Sequence, residues 1–192
     1  KEYGMPAAAI TDHGVLYGMI DFYRKAKKEG VKPIIGAELY LSPGSRFEKS
    51  RKRYHLLLLA QNKQGYHNLI QLVSKAWLEG FYYKPRVDKE LLAEYSQGLI
   101  CLSACLQGEI PQLLINGNYD LAKKAASDYQ AIFGKDNFFL ELQDHNLQQE
   151  KEAAQGLLKL SREENIPAVV TNDSHYLNQE DAELQDILLA LQ

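Results

Sequence analysis

The sequence predicts an α/β protein in which strands and helices alternate around a mainly parallel sheet. Six short apolar runs have the length of strands, and a helix is predicted after each of them. Gly or Pro residues stand at most of the boundaries between these elements. A length of 192 residues suits one domain. Elements in this order form βαβ units with right-handed crossovers, which fit either a barrel or an open doubly wound sheet.

In the first half of the chain, apolar runs bounded by Gly or Pro predict strands, and apolar residues at helical spacing predict helices. Residues 1–4 have the pattern of a last helical turn that Gly4 closes. The further elements, in order, are a strand at 6–11, a helix at 17–29 ended by Gly30, a strand at 33–41, a polar basic loop from Pro43 to Arg53, a strand at 54–60 and a helix at 66–79 ended by Gly80.

The second half continues the alternation after an aromatic-rich segment at 81–86, which contains a proline and is predicted to be irregular. Asp144 is expected to cap the long helix that follows it. The elements, in order, are a short helix at 88–95, a strand at 98–102, a helix at 109–115, a helix at 119–133 followed by Gly134, a strand at 138–142, a helix at 147–164, a strand at 168–171 and a helix at 178–191.

The composition of the chain argues against several classes of protein. A net charge of -3 argues against a duplex-binding module, which usually carries a strong positive excess. No apolar run approaches the length of a membrane helix, and no signal-peptide pattern opens the chain. Cys101 and Cys105, the two cysteines, do not have the spacing of a disulfide framework, so a reducing cytoplasm is the expected location.

Two predicted strands end in the same pair of residue types. Asp12 and His13 follow the strand at 6–11, and Asp173 and His175 follow the strand at 168–171. A single Asp-His pair after a strand is more often a helix cap or a hydrogen-bonded turn. However, ligands of parallel α/β proteins gather at the carboxyl ends of strands, and Asp-x-His lets both side chains reach one metal. The two pairs together indicate a metal site.

Three further residues are weaker candidates when each is taken alone. Glu38 lies inside a predicted strand, where a charge is costly unless it is paired, bound to metal or on a solvated face. His55 begins a strand at its amino end, opposite to the expected edge, and a histidine bonded to backbone is the commoner outcome. Cys105 follows the strand at 98–102, and free cysteines are usually inert and buried.

Other polar residues have ordinary explanations. His67 and His145 fit surface or capping positions. The basic loop could contact phosphates but is more often simply solvated. No Gly-rich phosphate loop, nucleophile elbow or zinc-finger spacing is present. The basic residues of the loop are Arg46, Lys49, Arg51, Lys52 and Arg53.

Taken together, the motifs resemble the PHP (polymerase and histidinol phosphatase) family, and specifically its version in bacterial DNA polymerase III alpha subunits. The motifs keep the family order and cover nearly the whole chain, which makes the set specific. They are GMPAAAITDHG at 4–14, KPIIGAE at 32–38, YHLLLLA at 54–60, GYHNL at 65–69, GLICLSAC at 98–105 and TNDSHYL at 171–177.

The resemblance implies a distorted, seven-stranded, TIM-like β/α barrel with up to three metal ions at one mouth. It implies zinc, manganese or iron as the metal, because the ligands mix imidazole, thiolate and carboxylate. It also implies phosphoester hydrolysis in which Asp12, His13, Glu38, Asp173 and His175 take part, with Asp12 orienting its neighbours. The ligands matched motif to motif are His13, Glu38, His55, Cys105, Asp173 and His175.

This sequence also departs from the family pattern. The family begins with a strand that carries His-x-His, and no histidine precedes His13 here. Because the chain also starts without Met, we expect residues 1–192 to be a single PHP domain that lacks its first strand and ends before the polymerase palm. Such a chain would assemble only part of the metal cluster and would leave an unpaired sheet edge.

Three functions compete at this point. The first is a metal-dependent phosphoesterase, of 3′–5′ exonuclease type, within a replicative DNA polymerase. The second is a non-catalytic module that braces the polymerase and docks a separate proofreading exonuclease subunit. The third is a stand-alone phosphatase of the histidinol-phosphate type. The first two imply DNA and replisome subunits as partners.

Overall fold

The computed structural model describes residue 2 and residues 4–191 of the chain. Lys1 and Tyr3, which belong to the predicted opening helical turn, lie outside the described residues, as does Gln192. The strands are β1 (Ala7–Ile10), β2 (Lys32–Leu41), β3 (Tyr54–Ala60), β4 (Arg86–Val87), β5 (Leu99–Leu102), β6 (Phe138–Leu142) and β7 (Ala168–Val170). The helices are α1 (Met19–Lys28), α2 (Lys63–Leu78), α3 (Lys89–Glu94), α4 (Glu109–Ile115), α5 (Tyr119–Phe133), α6 (Gln148–Glu164) and α7 (Ala182–Ala190), with a 3₁₀ turn at Gln179–Asp181.

The strands form one curled sheet, half of a barrel, in the order β1-β2-β3-β5-β6-β7, with β4 paired to β2. The α/β prediction is confirmed, but the prediction of a helix after every strand is wrong at β2. β3 runs antiparallel to both β2 and β5, whereas the other pairs are parallel. The loop between β2 and β3 contains no helix, so the two strands form a hairpin instead of a crossover unit.

The reversal of β3 decides where its first residues lie. In the β2–β3 pairing, Tyr40 lies opposite His55 and Leu41 opposite Tyr54. The amino end of β3 therefore meets the carboxyl ends of β1 and β2 at one edge of the sheet. In an all-parallel sheet, His55 would lie at the end opposite to the carboxyl ends of β1 and β2. The reversal of β3 brings it to the same end.

Two local predictions are corrected by the structure. The segment at 81–86 was expected to be irregular throughout, but Arg86 begins β4, which pairs in parallel with the end of β2. Asp144 does not cap α6, because its carboxylate accepts a hydrogen bond from the Asn146 backbone N–H instead. Glu150, inside the first turn of α6, accepts from the backbone N–H groups of His145 and Leu147 and takes over that role.

The core lies between the sheet and the helices that cover one face of it. Inward residues of β2, β3 and β5, such as Leu39, Leu58 and Cys101, pack against α2 and α5 and are almost completely buried. Burial of these aliphatic side chains is the main stabilising contribution to the sheet. Within the described residues, no helix is long and apolar enough to cross a membrane.

Candidate metal centre

The chain beyond β1 brings His13 next to β2. The Glu38 N–H donates to the Asp12 carbonyl at 3.1 Å, and the Gly14 N–H donates to the Glu38 carbonyl at 2.9 Å, so pairing continues past the end of the strand. Gly14 has a φ of +67°, and an added Cβ would lie 2.9 Å from a side-chain carbon of Pro85. Glycine is therefore required where the chain turns away from His13.

His55 reaches the same edge from β3. Its backbone N–H donates to the Gln107 carbonyl at 2.9 Å, which fixes the start of the strand. Its Nδ1 lies 2.5 Å from Oε1 of Glu38, and Nδ1 of His13 lies 3.7 Å from Oε2 of the same carboxylate. Glu38 is buried, at 5% exposure, so the alternative of a solvated strand face is wrong for this residue.

These three side chains form a possible metal site. One donor atom from each of His13, Glu38 and His55 lies within 4.8 Å of the others. The Sγ of Cys105 lies 3.6 Å from Nδ1 of His55 and 3.9 Å from Oε1 of Glu38. Two imidazoles, a carboxylate and a thiol are the donor types that suit zinc and other first-row transition metals, so the residues fit the implied metal.

Burial disfavours ionisation of both the Glu38 carboxyl and the Cys105 thiol, but the net change in pKa is opposite for the two groups. Burial opposes ionisation of Glu38, yet the hydrogen bond from His55 and the nearby imidazoles outweigh it and hold the pKa of Glu38 below its usual value. Burial raises the pKa of the Cys105 thiol to about 12, and the charges of Glu38, Asp173 and Glu141 act in the same direction. The free site therefore combines a carboxylate with a protonated thiol.

The second Asp and His pair, Asp173 and His175, approaches the same place. The ring centroids of His175 and His13 are 5.8 Å apart, and Nδ1 of His175 lies 2.8 Å from the Asp173 carbonyl. Burial, followed by the charge of Glu38, raises the pKa of Asp173. The structure thus places Asp173 and His175 beside the three-residue site, although their donor atoms are not among those within 4.8 Å.

The remaining sequence candidates lie elsewhere. The Asp12 carboxylate accepts a hydrogen bond from the Gly18 N–H at 2.9 Å, so it holds the backbone of the turn that follows His13. His67 is exposed on α2. Nδ1 of His145 contacts Glu150 at 2.6 Å, and its Nε2 contacts the Asn172 carbonyl at 2.6 Å, which ties the start of α6 to the Asp173 loop.

Sequence reasoning missed three side chains around the site. The Tyr40 ring lies 6.2 Å from that of His13 and 5.4 Å from that of His55. It follows Glu38 by two residues on one strand, and this period of two could have identified it. Glu141 is a second buried carboxylate inside an apolar strand, the same signal as Glu38, and it accepts a hydrogen bond from the Thr171 hydroxyl. Trp77 reaches the site through its Nε1, which donates to the Gly14 carbonyl, and no pattern in the sequence indicates this contact.

Comparisons with known proteins agree with the architecture. The family profile described as PHP domain matches residues 1–145. The chain is 52% identical over its full length to DNA polymerase III subunit alpha of Treponema pallidum and 47% identical to that of Borreliella burgdorferi, and it covers 17% of each. Against the subunit of Thermus aquaticus, identity is 48% over 97% of the chain and 16% of the relative. The chain thus spans about a sixth of these relatives.

A solved structure supports the fold. A Bifidobacterium adolescentis protein, described as a "putative metal-dependent phosphoesterase", superposes with a TM-score of 0.51 over 98% of this chain and 87% of its own. Sequence identity is 12%, so the likeness concerns the fold. With a curled half-barrel, a possible His/Glu metal site at one edge and a family profile that covers most of its length, the chain belongs to the PHP domain family.

Proposed function

We propose that this chain is a metal-dependent phosphoesterase domain. The observation that carries the proposal is the convergence of His13, Glu38 and His55 within 4.8 Å at the edge where the strand ends meet. Cys105, Asp173 and His175 are proposed as further ligands, and Asp12 as a residue that positions the turn beside His13. The ion would be zinc, manganese or iron, with up to three in an intact domain.

The protein's own residues supply the environment for the reaction. A bound ion of this kind polarises phosphate oxygens and lowers the pKa of a bound water. Glu38 would hold the ion together with His13 and His55, because each of its two oxygens lies near one of these imidazoles. Tyr40 packs against His13 and His55 and limits the positions that their rings can adopt.

The relatives give the proposal its biological setting. We propose that residues 1–192 form one PHP domain of a bacterial replicative DNA polymerase alpha subunit, a cytoplasmic DNA-directed nucleotidyltransferase. Identity of 42–52% to polymerase subunits favours this branch over a stand-alone histidinol-phosphatase. The reaction would be 3′–5′ exonuclease-type hydrolysis of primer ends. The proposed partners are DNA, a proofreading exonuclease subunit and other replisome subunits.

Removal of the central carboxylate tests the catalytic proposal. The purified chain and its Glu38→Gln variant are reconstituted with zinc or manganese, and bound metal is measured by elemental analysis. We expect Glu38→Gln to lose most of the bound metal, because the carboxylate is the group that contacts both imidazoles. Glu152→Gln, an exposed carboxylate on α6, serves as the charge-matched control and should retain it.

Hydrolysis of bis-p-nitrophenyl phosphate and of an oligonucleotide with a mispaired 3′ end is measured on the same samples. Activity that follows metal content supports the proposal. If the unaltered chain binds no metal after reconstitution, or if Glu38→Gln binds as much as the unaltered chain, the catalytic proposal fails.

A second function, docking of another protein, is favoured by a separate observation. Helix α7 presents an apolar surface to solvent, with Leu184, Ile187, Leu188 and Leu189 each at least 55% exposed. Large exposed apolar patches usually mark contact surfaces. A chain without metal or hydrolytic activity that still binds a proofreading exonuclease subunit would favour the docking function.

A further inference from the structure

We propose that a surface beside the metal centre binds single-stranded nucleic acid by base stacking and phosphate contacts. This inference extends the proposed phosphoesterase function by naming the physical form of its substrate. We name the region the aromatic–cationic surface. It consists of Arg51, Arg53, Trp77, Phe81, Tyr83 and Lys84.

The aromatic members are large, flat and exposed. Trp77 and Phe81 stack with ring centroids 5.3 Å apart and planes 17° apart, yet they remain 43% and 54% exposed. Tyr83 is 56% exposed at the tip of a tight turn, which the hydrogen bond from the Tyr82 N–H to the Lys84 carbonyl closes. Exposed ring faces of this kind stack nucleobases with little dependence on sequence.

The cationic members of this surface form no ion pair with an acidic side chain that the structure describes. Among the described residues, no carboxylate forms an ion pair with Arg51, Arg53 or Lys84, whereas Arg46 in the same loop pairs with Glu79 and Asp88. The Arg53 guanidinium donates one hydrogen bond, to the Arg51 carbonyl at 3.1 Å, which leaves its positive charge without an anionic partner among the described residues. Cations that no internal carboxylate neutralises remain available for phosphate groups.

Ring contacts hold these cations in place. The Arg51 guanidinium lies 3.8 Å from the centroid of the Tyr83 ring. The Arg53 guanidinium lies 5.5 Å, and Nζ of Lys84 lies 5.6 Å, from the Tyr40 ring. Aromatic and cationic groups therefore lie next to one another here, which is the composition that single-strand-binding proteins use.

Direct contacts connect this surface to the metal centre. Nε1 of Trp77 donates to the Gly14 carbonyl at 2.8 Å, one residue from His13. Tyr40, which lies near Arg53 and Lys84, also packs against His13 and His55. A strand that lies along the aromatic–cationic surface would therefore bring its phosphodiesters to the proposed ligands.

The single strand is favoured over the duplex for two reasons. Ring stacking requires base faces, which a duplex hides inside its own stack. In addition, the net charge of -3 disfavours duplex DNA, whose phosphate density demands a strong positive excess. Local cations combined with exposed rings suit a few unpaired nucleotides better than a long helix.

Trp77 makes a direct test possible because it is the chain's one tryptophan. The intrinsic fluorescence of the full chain is titrated with an oligothymidylate of about 12 nucleotides, a length within the range of known single-strand sites. EDTA is present throughout, so that no hydrolysis occurs. We expect saturable quenching by the single strand and weak or no quenching by a duplex of equal length. No saturable quenching, or equal affinity for the duplex, would overturn the inference.

Variants assign the binding to this surface. We expect Arg53→Gln, Lys84→Gln and Phe81→Ala each to weaken binding about fivefold or more, because a stacked base or paired phosphate is lost. The control is Lys159→Gln, which removes a cation that lies 4.1 Å from the Tyr119 ring on another face. It should change affinity by less than about twofold. Equal weakening by the control and the surface variants would contradict the assignment.

The outcomes separate this inference from the proposed function. Metal-dependent hydrolysis of the small phosphodiester without oligonucleotide binding would leave the phosphoesterase function in place and reject the surface. Saturable binding in EDTA by a chain that hydrolyses nothing would support the surface and reject the catalytic proposal. Thermal unfolding of each variant confirms that a change in affinity is not a loss of fold.

Discussion

At the scale of single residues, the centre combines groups that would be unfavourable alone. Glu38 is buried and keeps a lowered pKa because imidazoles surround it. Removing one partner of such a buried pair costs several times more free energy than an exposed pair contributes. Cys105 shows the opposite response, since its thiol stays protonated beside the carboxylate. The site therefore holds both a charge that is stabilised and a thiol proton, which would be lost if Cys105 bound a metal as thiolate.

The Cys105 thiol predicts how metal affinity depends on pH. Its pKa is raised to about 12, so it is protonated throughout the neutral range, and a metal that binds it as thiolate must release that proton. Affinity should therefore rise with increasing pH. Cys105→Ser should release about one proton fewer per site. Calorimetric titration of the chain in buffers of different ionisation enthalpy measures the protons released. Equal proton release by the two proteins would exclude Cys105 as a thiolate ligand.

At the scale of elements, a buried arginine organises the connection between β2 and β3. The Arg86 guanidinium donates to the backbone carbonyls of Arg46, Glu48 and Ser50 at 2.7–2.9 Å, and its Nε donates to that of Gly80. Burial lowers the pKa of Arg86. This side chain replaces the regular hydrogen bonds that the loop lacks, and it joins the loop to the end of α2.

Substitution of Arg86 should release this loop. We expect Arg86→Met to lower the free energy of unfolding by about 2–3 kcal/mol, because a network of buried hydrogen bonds to carbonyls is lost. Trypsin should also cut near Lys49 and Arg51 faster than in the unaltered chain. Arg162→Met, at an exposed site on α6, is the control and should leave both measurements nearly unchanged. Unchanged proteolysis of Arg86→Met would contradict the assigned role.

A glycine contact fixes how α2 packs on the sheet. A Cβ at Gly65 would lie 1.7 Å from the Gly98 carbonyl oxygen, so helix and loop backbones touch. We expect Gly65→Ala to cost about 3 kcal/mol through overpacking. Gly30→Ala is the comparison, since Gly30 has a φ of +72° but open space around it, and should cost about 1 kcal/mol. Chemical denaturation measures both, and similar costs would show that the contact is not restrictive.

Much of the element order could be predicted from sequence, and the exceptions have physical causes. The predicted bounds of α4, α5 and β6 match the structure, because turn residues and apolar spacing agree at their ends. The sequence predicts the start of α2 at residue 66, three residues late. The helix begins at Lys63 instead, because the Asn62 side chain caps its first turn by accepting from the Gly65 N–H. The hydrogen bonds that Glu150 accepts at the start of α6 could not be predicted from sequence, since they depend on how the chain before the helix folds back.

At the scale of the whole molecule, the direction of one strand determines which residues meet. The Asp-His motifs could be placed at strand ends from sequence alone, but the approach of His55 depended on the reversal of β3. The predicted loop at 43–53, which has no helical pattern, could have indicated that reversal, but the prediction placed a helix after every strand. Trp77 could not be assigned to the site from sequence, because its role comes from a tertiary contact with the Gly14 carbonyl. Tyr40 could have been placed on the same strand face as Glu38, but its distances to His13 and His55 depend on the fold.

The exposed apolar face of α7 should affect the behaviour of the whole chain in solution. We expect concentration-dependent self-association, because several large aliphatic side chains of this helix contact water. Leu184→Lys combined with Leu188→Lys should reduce it, as measured by sedimentation velocity over a range of concentrations. Lys substitutions at Gln148 and Gln155, polar positions of α6, provide a control with equal charge. Association that is unaffected by the α7 changes would assign it to another surface, such as a sheet edge.

The β2–β3 hairpin also has a consequence for biosynthesis. His13, Glu38 and His55 all belong to the first 55 residues, whereas Cys105, Asp173 and His175 come much later. Hairpins are local pairings and form quickly, so Glu38 and His55 can come together while the ribosome is still making the rest of the chain, and His13 joins them when β1 pairs with β2 across α1. The site would then be assembled in two stages. If the proposed ligands hold an ion, the early residues would be in place to bind it on the nascent chain, and the late residues would join them when synthesis ends.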